Sequence, residues 1–128
     1  MENTGMVIDT SVFVEFLRAK NKTETILFRI PEENQLFISA VTLYELLMGA
    51  ISLEKLNDIS ILTDDIPVLS FNETVAKKAG EIYHTLRQSN KIIEFRDIFI
   101  AATAIANNLT VKTLNVKHFS RIPNIRLS

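Results

Sequence analysis

Met6-Val7-Ile8-Asp9-Thr10-Ser11 decides the fold. Three apolar residues in a row, two of them β-branched, stop at a carboxylate followed by two hydroxyls. A run that is apolar at every position suits a strand covered on both faces, as in a parallel sheet. Val12, Phe13, Phe16 and Leu17 then recur at i, i+1, i+4 and i+5, a helical stripe over residues 11–19. Strand, polar junction and helix make up the repeating unit of an α/β sheet.

The rhythm continues outward from that stretch. Asn21 and Glu24 suggest the capped start of a second helix, which Pro31 ends. Residues 36–39 read as a strand, 41–50 and 52–62 as helices, and 66–69 as a third short strand. Leu53, Leu56, Ile59, Ile61 and Leu62 are the apolar positions of the 52–62 helix, and Phe13, Phe16, Leu17 and Phe28 read as core. Asn72 caps the longest helix, where Val75, Ala79, Ile82, Tyr83 and Leu86 keep the 3.6-residue period. An Ala-rich helix over 97–108 ends at Asn107-Asn108, and 110–113 and 125–127 supply the last strands, the final one weak. Strands separated by helices predict a mostly parallel sheet of about five short strands with helices on both faces.

The 128 residues predict one domain over 1–128. No apolar stretch approaches the roughly 20 residues that span a bilayer, and the first five residues lack the features of a signal peptide. With no cysteine there is neither a disulfide framework nor a thiolate zinc site, and the cytoplasm is the expected compartment. A net charge of −1 gives no overall electrostatic footprint for nucleic acid. Any such contact must use local groups: Arg18, Lys20 and Lys22, or Lys112, Lys117, His118 and Arg121.

Four polar residues stand where apolar runs end or helices begin: Asp9, Glu45, Asp97 and Asn115. In open α/β sheets ligands sit outside the carboxyl ends of the strands, so these groups are expected to share one pocket. Carboxylates 4 Å apart repel by about 4 kcal/mol at an effective dielectric of 20, and a hard divalent ion relieves that using oxygen ligands alone. The pattern predicts a metal-dependent enzyme. Each residue also has a structural reading. Asp9 suits a helix cap, although Ser11 caps equally well; Thr42-x-x-Glu45 fits a capping box; Asp97 suits a helix N-terminus; Asn115 suits a turn. Asp64-Asp65 reads as a turn and His84 as a surface or dimer-face residue.

Val7-Ile8-Asp9-Thr10-Ser11 and Ile38-Ser39-Ala40-Val41-Thr42-Leu43-Tyr44-Glu45-Leu46 resemble the opening blocks of PIN domains. Asp97-Ile98-Phe99-Ile100-Ala101-Ala102-Thr103-Ala104 resembles the third block, and Thr113-Leu114-Asn115-Val116-Lys117-His118-Phe119 the last. The length is similar to that of the stand-alone VapC type, the toxin of a toxin–antitoxin pair. This resemblance implies a three-layer α/β/α fold and an endoribonuclease that uses Mg²⁺ or Mn²⁺. It also implies a homodimer neutralised by a VapB-like antitoxin.

Carried over, Asp9, Glu45 and Asp97 match the family's acidic positions, with Asn115 standing at the fourth as an amide. Thr10, Ser11 and Thr113 match small hydroxyl positions beside the metal. Asp9 and Asp97 are then the main metal anchors, and Glu45 holds or deprotonates the attacking water. Arg96, Lys117 and His118 are candidates for the RNA backbone. The missing fourth acid suggests an alternative, a PIN-like module that binds RNA or protein without cutting. A phosphoacceptor receiver domain fits poorly, since strand three ends Leu69-Ser70-Phe71 with no acid.

Overall fold

A computed structural model of the chain describes residues 5–128. Only the opening residues of the expected 1–128 domain, with the N-terminal reading placed on them, lie outside the described part. Four parallel strands form one sheet: β1 (Met6–Ile8), β2 (Leu36–Ser39), β3 (Val68–Leu69) and β4 (Thr110–Lys112). Their order is β3-β2-β1-β4, with Val7 opposite both Phe37 and Val111. The fifth strand is reduced to a single parallel bridge between Val111 and Leu127. It enters the sheet edge straight after a turn in which Asn124 holds φ 67°, so little of it comes into register.

Seven α-helices cover the sheet among the described residues. One layer holds α1 (Thr10–Arg18), α2 (Ile26–Arg29), α3 (Ala40–Met48) and α4 (Leu53–Thr63); the other holds α5 (Glu73–Gln88) and α6 (Phe95–Ala106), with the short α7 (Val116–Phe119) beside them. β1 divides the core by strand alternation. Met6 and Ile8 pack with Val12, Phe13 and Ile38, while Val7 packs with Ile98, Ala101 and Val111 on the opposite face. The three-layer α/β/α expectation is met.

Local sequence explains the boundaries. Asn21 caps only a 3-10 turn, and Thr25 caps the short α2 that follows. Pro67 has no N–H to give, so β3 begins one residue later, with the Pro67 carbonyl accepting from Ile38 N at 3.0 Å. α6 ends in a Schellman turn: Asn108 takes φ 58° and Leu109 N donates to Ala104 O at 2.9 Å. Ala101, Ala102 and Ala104 are wholly buried, so α6 lies close against its neighbours.

Two expectations about the core are corrected. Only Ile59 of the α4 apolar set is fully buried, whereas Leu53 and Ile61 are 85% and 71% exposed. α4 turns Leu53, Leu56 and Ile61, most of its apolar residues, to solvent. Phe28 likewise is exposed, because α2 makes barely one turn and can bury only one side.

Candidate active site

The chain leaves β1 between β2 on one side and β4 on the other, the topological switch point of this sheet. Asp9 stands there. Its N–H donates to Lys112 O at 2.9 Å, extending the β1–β4 ladder by one step, and its side chain turns up as the N-cap of α1. Capping and facing the cavity are therefore compatible rather than rival roles. Asp9 is only 2% exposed.

A two-tier network fixes this carboxylate. Ser11 Oγ and Thr113 Oγ1 donate to Asp9 Oδ2 at 2.6 and 2.8 Å, with a longer bond from Ser11 N at 3.4 Å. Behind them, Leu114 N donates to Ser11 Oγ at 3.1 Å and Asn115 N to Thr113 Oγ1 at 2.9 Å. A hydroxyl has one proton to give. With backbone N–H groups occupying the hydroxyl lone pairs, both protons point at Asp9. All three bonds fall on Oδ2, and Oδ1 takes no hydrogen bond among the described residues.

Glu45 comes from the second turn of α3. The cap of that helix is Ser39, whose Oγ accepts from Thr42 N at 3.0 Å, so the Thr42-x-x-Glu45 capping box is not formed. Thr42 is instead a buried residue whose Oγ1 lies 2.9 Å from Thr10 Oγ1. Thr10 Oγ1 donates to Glu45 Oε1 at 2.7 Å, and Arg96 Nη1 donates to Glu45 Oε2 at 2.9 Å. Both oxygens of Glu45 are thus engaged, and its side chain is 9% exposed.

Asp97 is the third residue of α6, not its first; Glu94 is the N-cap position and makes no capping bond. Glu94 gives its carboxylate to Arg96 Nη2, at 2.9 and 3.2 Å. The bond to Glu94, then the charge of Glu45, hold the Arg96 guanidinium above its ordinary pKa. Asp97 accepts no hydrogen bond among the described residues, and His118 Nδ1 stands 3.7 Å from its Oδ2. Burial, then the charges of Asp9 and Glu94, raise its pKa from 3.8 to about 6 against the weaker pull of His118 and Arg96.

These groups open on a cleft of about 450 Å³. Asp9, Thr10, Ser11, Glu45, Arg96, Asp97, Asn115 and His118 all line it. Thr113 acts from behind Asp9, and Lys117 lies on α7 outside the lining. Asn115 is the N-cap position of α7 but makes no capping bond. Of the basic candidates, Arg18 lines the cleft, while Lys22 is spent on the carbonyls of Phe16 and Leu17, Lys112 on Ser128 O and Arg121 on Ile92 O. The sequence reading missed two lining acids, Glu15, which accepts from Ile26 N, and Glu94, at the start of α6. An acid at a helix start has an ordinary role there, and nothing local marks it as a cleft residue.

Among the described residues no three acidic or imidazole groups form a ready-made metal cage. The donor chemistry nonetheless suits a hard cation. Asp9 has an oxygen free of donors among the described residues, and Asp97 has a carboxylate that burial and like charge disfavour in its ionised form. Oxygen ligands of this kind suit Mg²⁺ or Mn²⁺.

Residues 6–125 match the model of the PIN domain family. The chain is 35% identical over 96 residues to ribonuclease VapC3 of Methanocaldococcus jannaschii, covering 75% of this chain and 94% of that protein. It is 32% identical over 102 residues to ribonuclease VapC2 of Rickettsia felis, covering 77% and 76%. Among solved structures, DNA-bound VapBC from Salmonella typhimurium superposes with a TM-score of 0.86 at 27% identity, covering 97% of this chain and 96% of that one.

Proposed function

The chain belongs to the PIN domain family, and from that premise we propose that it is an endoribonuclease dependent on Mg²⁺ or Mn²⁺, the toxin of a type II toxin–antitoxin pair. The observation that carries the reading is the pairing of Asp9 and Asp97 in one cleft at the switch point, one with an oxygen and the other with a whole carboxylate that accept no hydrogen bond among the described residues. The relatives named as VapC ribonucleases support the substrate class.

Asp9, Glu45 and Asp97 are the catalytic carboxylates in this reading, with Asp9 and Asp97 the main anchors for the ion and Glu45 and Asn115 beside them. A bound divalent ion lowers the pKa of water and neutralises charge on the phosphoryl group. Ser11 and Thr113 keep Asp9 from turning, so its free oxygen is presented in one direction. Thr10 does the same for Glu45, which in this reading would hold the attacking water or help to deprotonate it. Arg18 and Arg96 line the cleft and Lys117 lies near it, giving the RNA backbone cationic partners within an otherwise acidic surface, and His118 adds an imidazole to the lining.

Residues 1–128 work as one domain, and the compartment is the cytoplasm; among the described residues no helix is long and apolar enough to cross a membrane. Partners are a VapB-like antitoxin and a second copy of the chain. Uncovered apolar side chains on two sides support that reading: Met48, Leu53 and Ile61 on one, Phe71 and Phe95 on the other.

The test is cleavage of RNA by purified protein in Mn²⁺, with and without chelator. Cleavage that stops on chelation is expected. RNA bound but left intact in Mn²⁺ would instead favour the non-cutting module, a reading that gains some support from Glu45 being tied to Arg96 and from the amide at Asn115.

A further inference from the structure

Arg96 occupies the second position of α6, where a positive charge meets the positive end of the helix dipole. Helix electrostatics therefore do not account for it. Its partners do: Nη1 holds Glu45 Oε2 and Nη2 holds both oxygens of Glu94. The pair with Glu45 links α3 to α6 across 51 residues of chain. The guanidinium is 54% exposed and Glu45 only 9%, so the arginine lies on the solvent side of the acid and covers it.

From this geometry we infer that Arg96 is the resting counter-ion of the site, a positioning residue that competes with the divalent ion for Glu45. The inference rests on the metal-dependent reading above. Of the five acids that line the cleft, Asp9, Glu45 and Asp97 are the candidate ligands, and each is balanced differently. Asp9 is held by hydroxyl donors, Asp97 has only the His118 imidazole at 3.7 Å and the nearby charge of Arg96, and Glu45 has a full positive charge in direct contact. Engaging Glu45 Oε2 in metal binding means sharing or displacing Arg96. Glu94 makes displacement feasible, because its two contacts to Nη2 retain the arginine at the cleft mouth when Nη1 lets go.

The test measures Mn²⁺ affinity on the intact chain without RNA, by electron paramagnetic resonance of the free ion. Arg96→Gln is expected to bind Mn²⁺ about tenfold tighter, through lost repulsion and a freed Glu45 oxygen. Arg18→Gln removes a charge from the same cleft but breaks no bond to these acids, so it should change affinity by less than about twofold. Arg96→Lys keeps the charge but cannot reproduce the planar fork, and should fall between Arg96→Gln and the parent. Thermal melts confirm that each variant is folded. Equal tightening in Arg18→Gln would reduce the effect to the general field and overturn the inference. Weaker binding in Arg96→Gln would also overturn it, making Arg96 a support for the metal site instead. Asp97→Asn separates the two levels: if it binds Mn²⁺ as the parent does, or if the parent binds none, the metal-dependent reading itself fails.

Discussion

Asp9 and Asp97 face the same cleft from opposite environments. Asp9 ends a buried strand and receives three hydrogen bonds from groups that are themselves fixed by the backbone after β4. Asp97 rides the first turn of α6, receives none among the described residues, and is left with a pKa of about 6. One carboxylate is fixed in place by hydrogen bonds before any ligand arrives, and the other is held in want of a cation. A site built this way has a rigid post and a responsive one, and the folded chain is expected to tolerate losing the second far better than the first.

Removing either acid is the harshest way to probe that contrast. Asp9→Ala and Asp97→Asn should each reduce RNA cleavage about a thousandfold, or ~4 kcal/mol of barrier. Their stabilities should diverge. Asp9→Ala takes away a helix cap and leaves the buried Thr113 hydroxyl and the half-buried Ser11 hydroxyl without their acceptor, costing about 2–4 kcal/mol. Asp97→Asn breaks no hydrogen bond and removes a disfavoured charge, so its melting temperature should equal or exceed that of the parent at pH 7. Equal destabilisation by the two variants would erase the distinction between them.

Thr113→Val addresses the rigid side alone. It preserves shape, removes one donor to Asp9 and leaves Asn115 N without its acceptor. Loss of a partner behind a metal-binding group commonly costs about 10- to 100-fold in affinity or activity, and that range is expected for Mn²⁺ binding here. Isothermal titration checks it. Thr42→Ala, by contrast, cannot serve as a clean capping control for Glu45. Ser39 is the cap, and Thr42 touches Thr10 within the Glu45 network.

The responsive side should show itself through pH. With a folded pKa of about 6 against an ordinary value of 3.8, Asp97 binds more protons folded than unfolded between those values. Stability therefore falls as pH rises from about 4 to 6, and the cost is fully present above that window. After allowance for solvent screening of a half-buried group, the span is about 1–2 kcal/mol. Denaturant midpoints across pH 4–7 in chelator should show this slope in the parent and a shallower one in Asp97→Asn. Parallel curves would remove the pKa contrast.

The comparison also explains what sequence could and could not show. Asp9 was legible because a fully apolar strand must be covered on both faces, which puts its next residue at the strand end. The strand–helix rhythm gave the parallel sheet for the same reason, while the edge position at 125–127 lacked the pattern that marks a buried strand and formed only one bridge. The pocket set of Asp9, Glu45, Asp97 and Asn115 could be assembled from such junctions. Arg96's bond to Glu45 could not, since it joins residues 51 apart whose side chains meet only once α3 and α6 pack. Nor could the exposed face of α4 be foreseen, because amphipathic spacing reports that a stripe exists and not which neighbour covers it.

Asn115 carries the mildest test, because it stands between the two regimes. Its backbone belongs to the rigid side, donating to Thr113 Oγ1, while its side chain makes no capping bond and lines the cleft. Asn115→Asp should keep the backbone bond, since that uses only the N–H, and Asp suits an N-cap position as well as Asn does. The added charge then acts on the cleft alone. It should raise the Asp97 pKa further and lower the metal-free melting temperature by a few degrees, about 1 kcal/mol for a domain of this size. With Mn²⁺ present the sign reverses, because a fourth anion adds attraction to a divalent ion and tightens binding by a few-fold. A larger Mn²⁺-induced rise in melting temperature for the variant than for the parent places Asn115 on the responsive side with Asp97. An unchanged rise would mean that only its backbone takes part, as a fixed support for Thr113 and, through it, for Asp9.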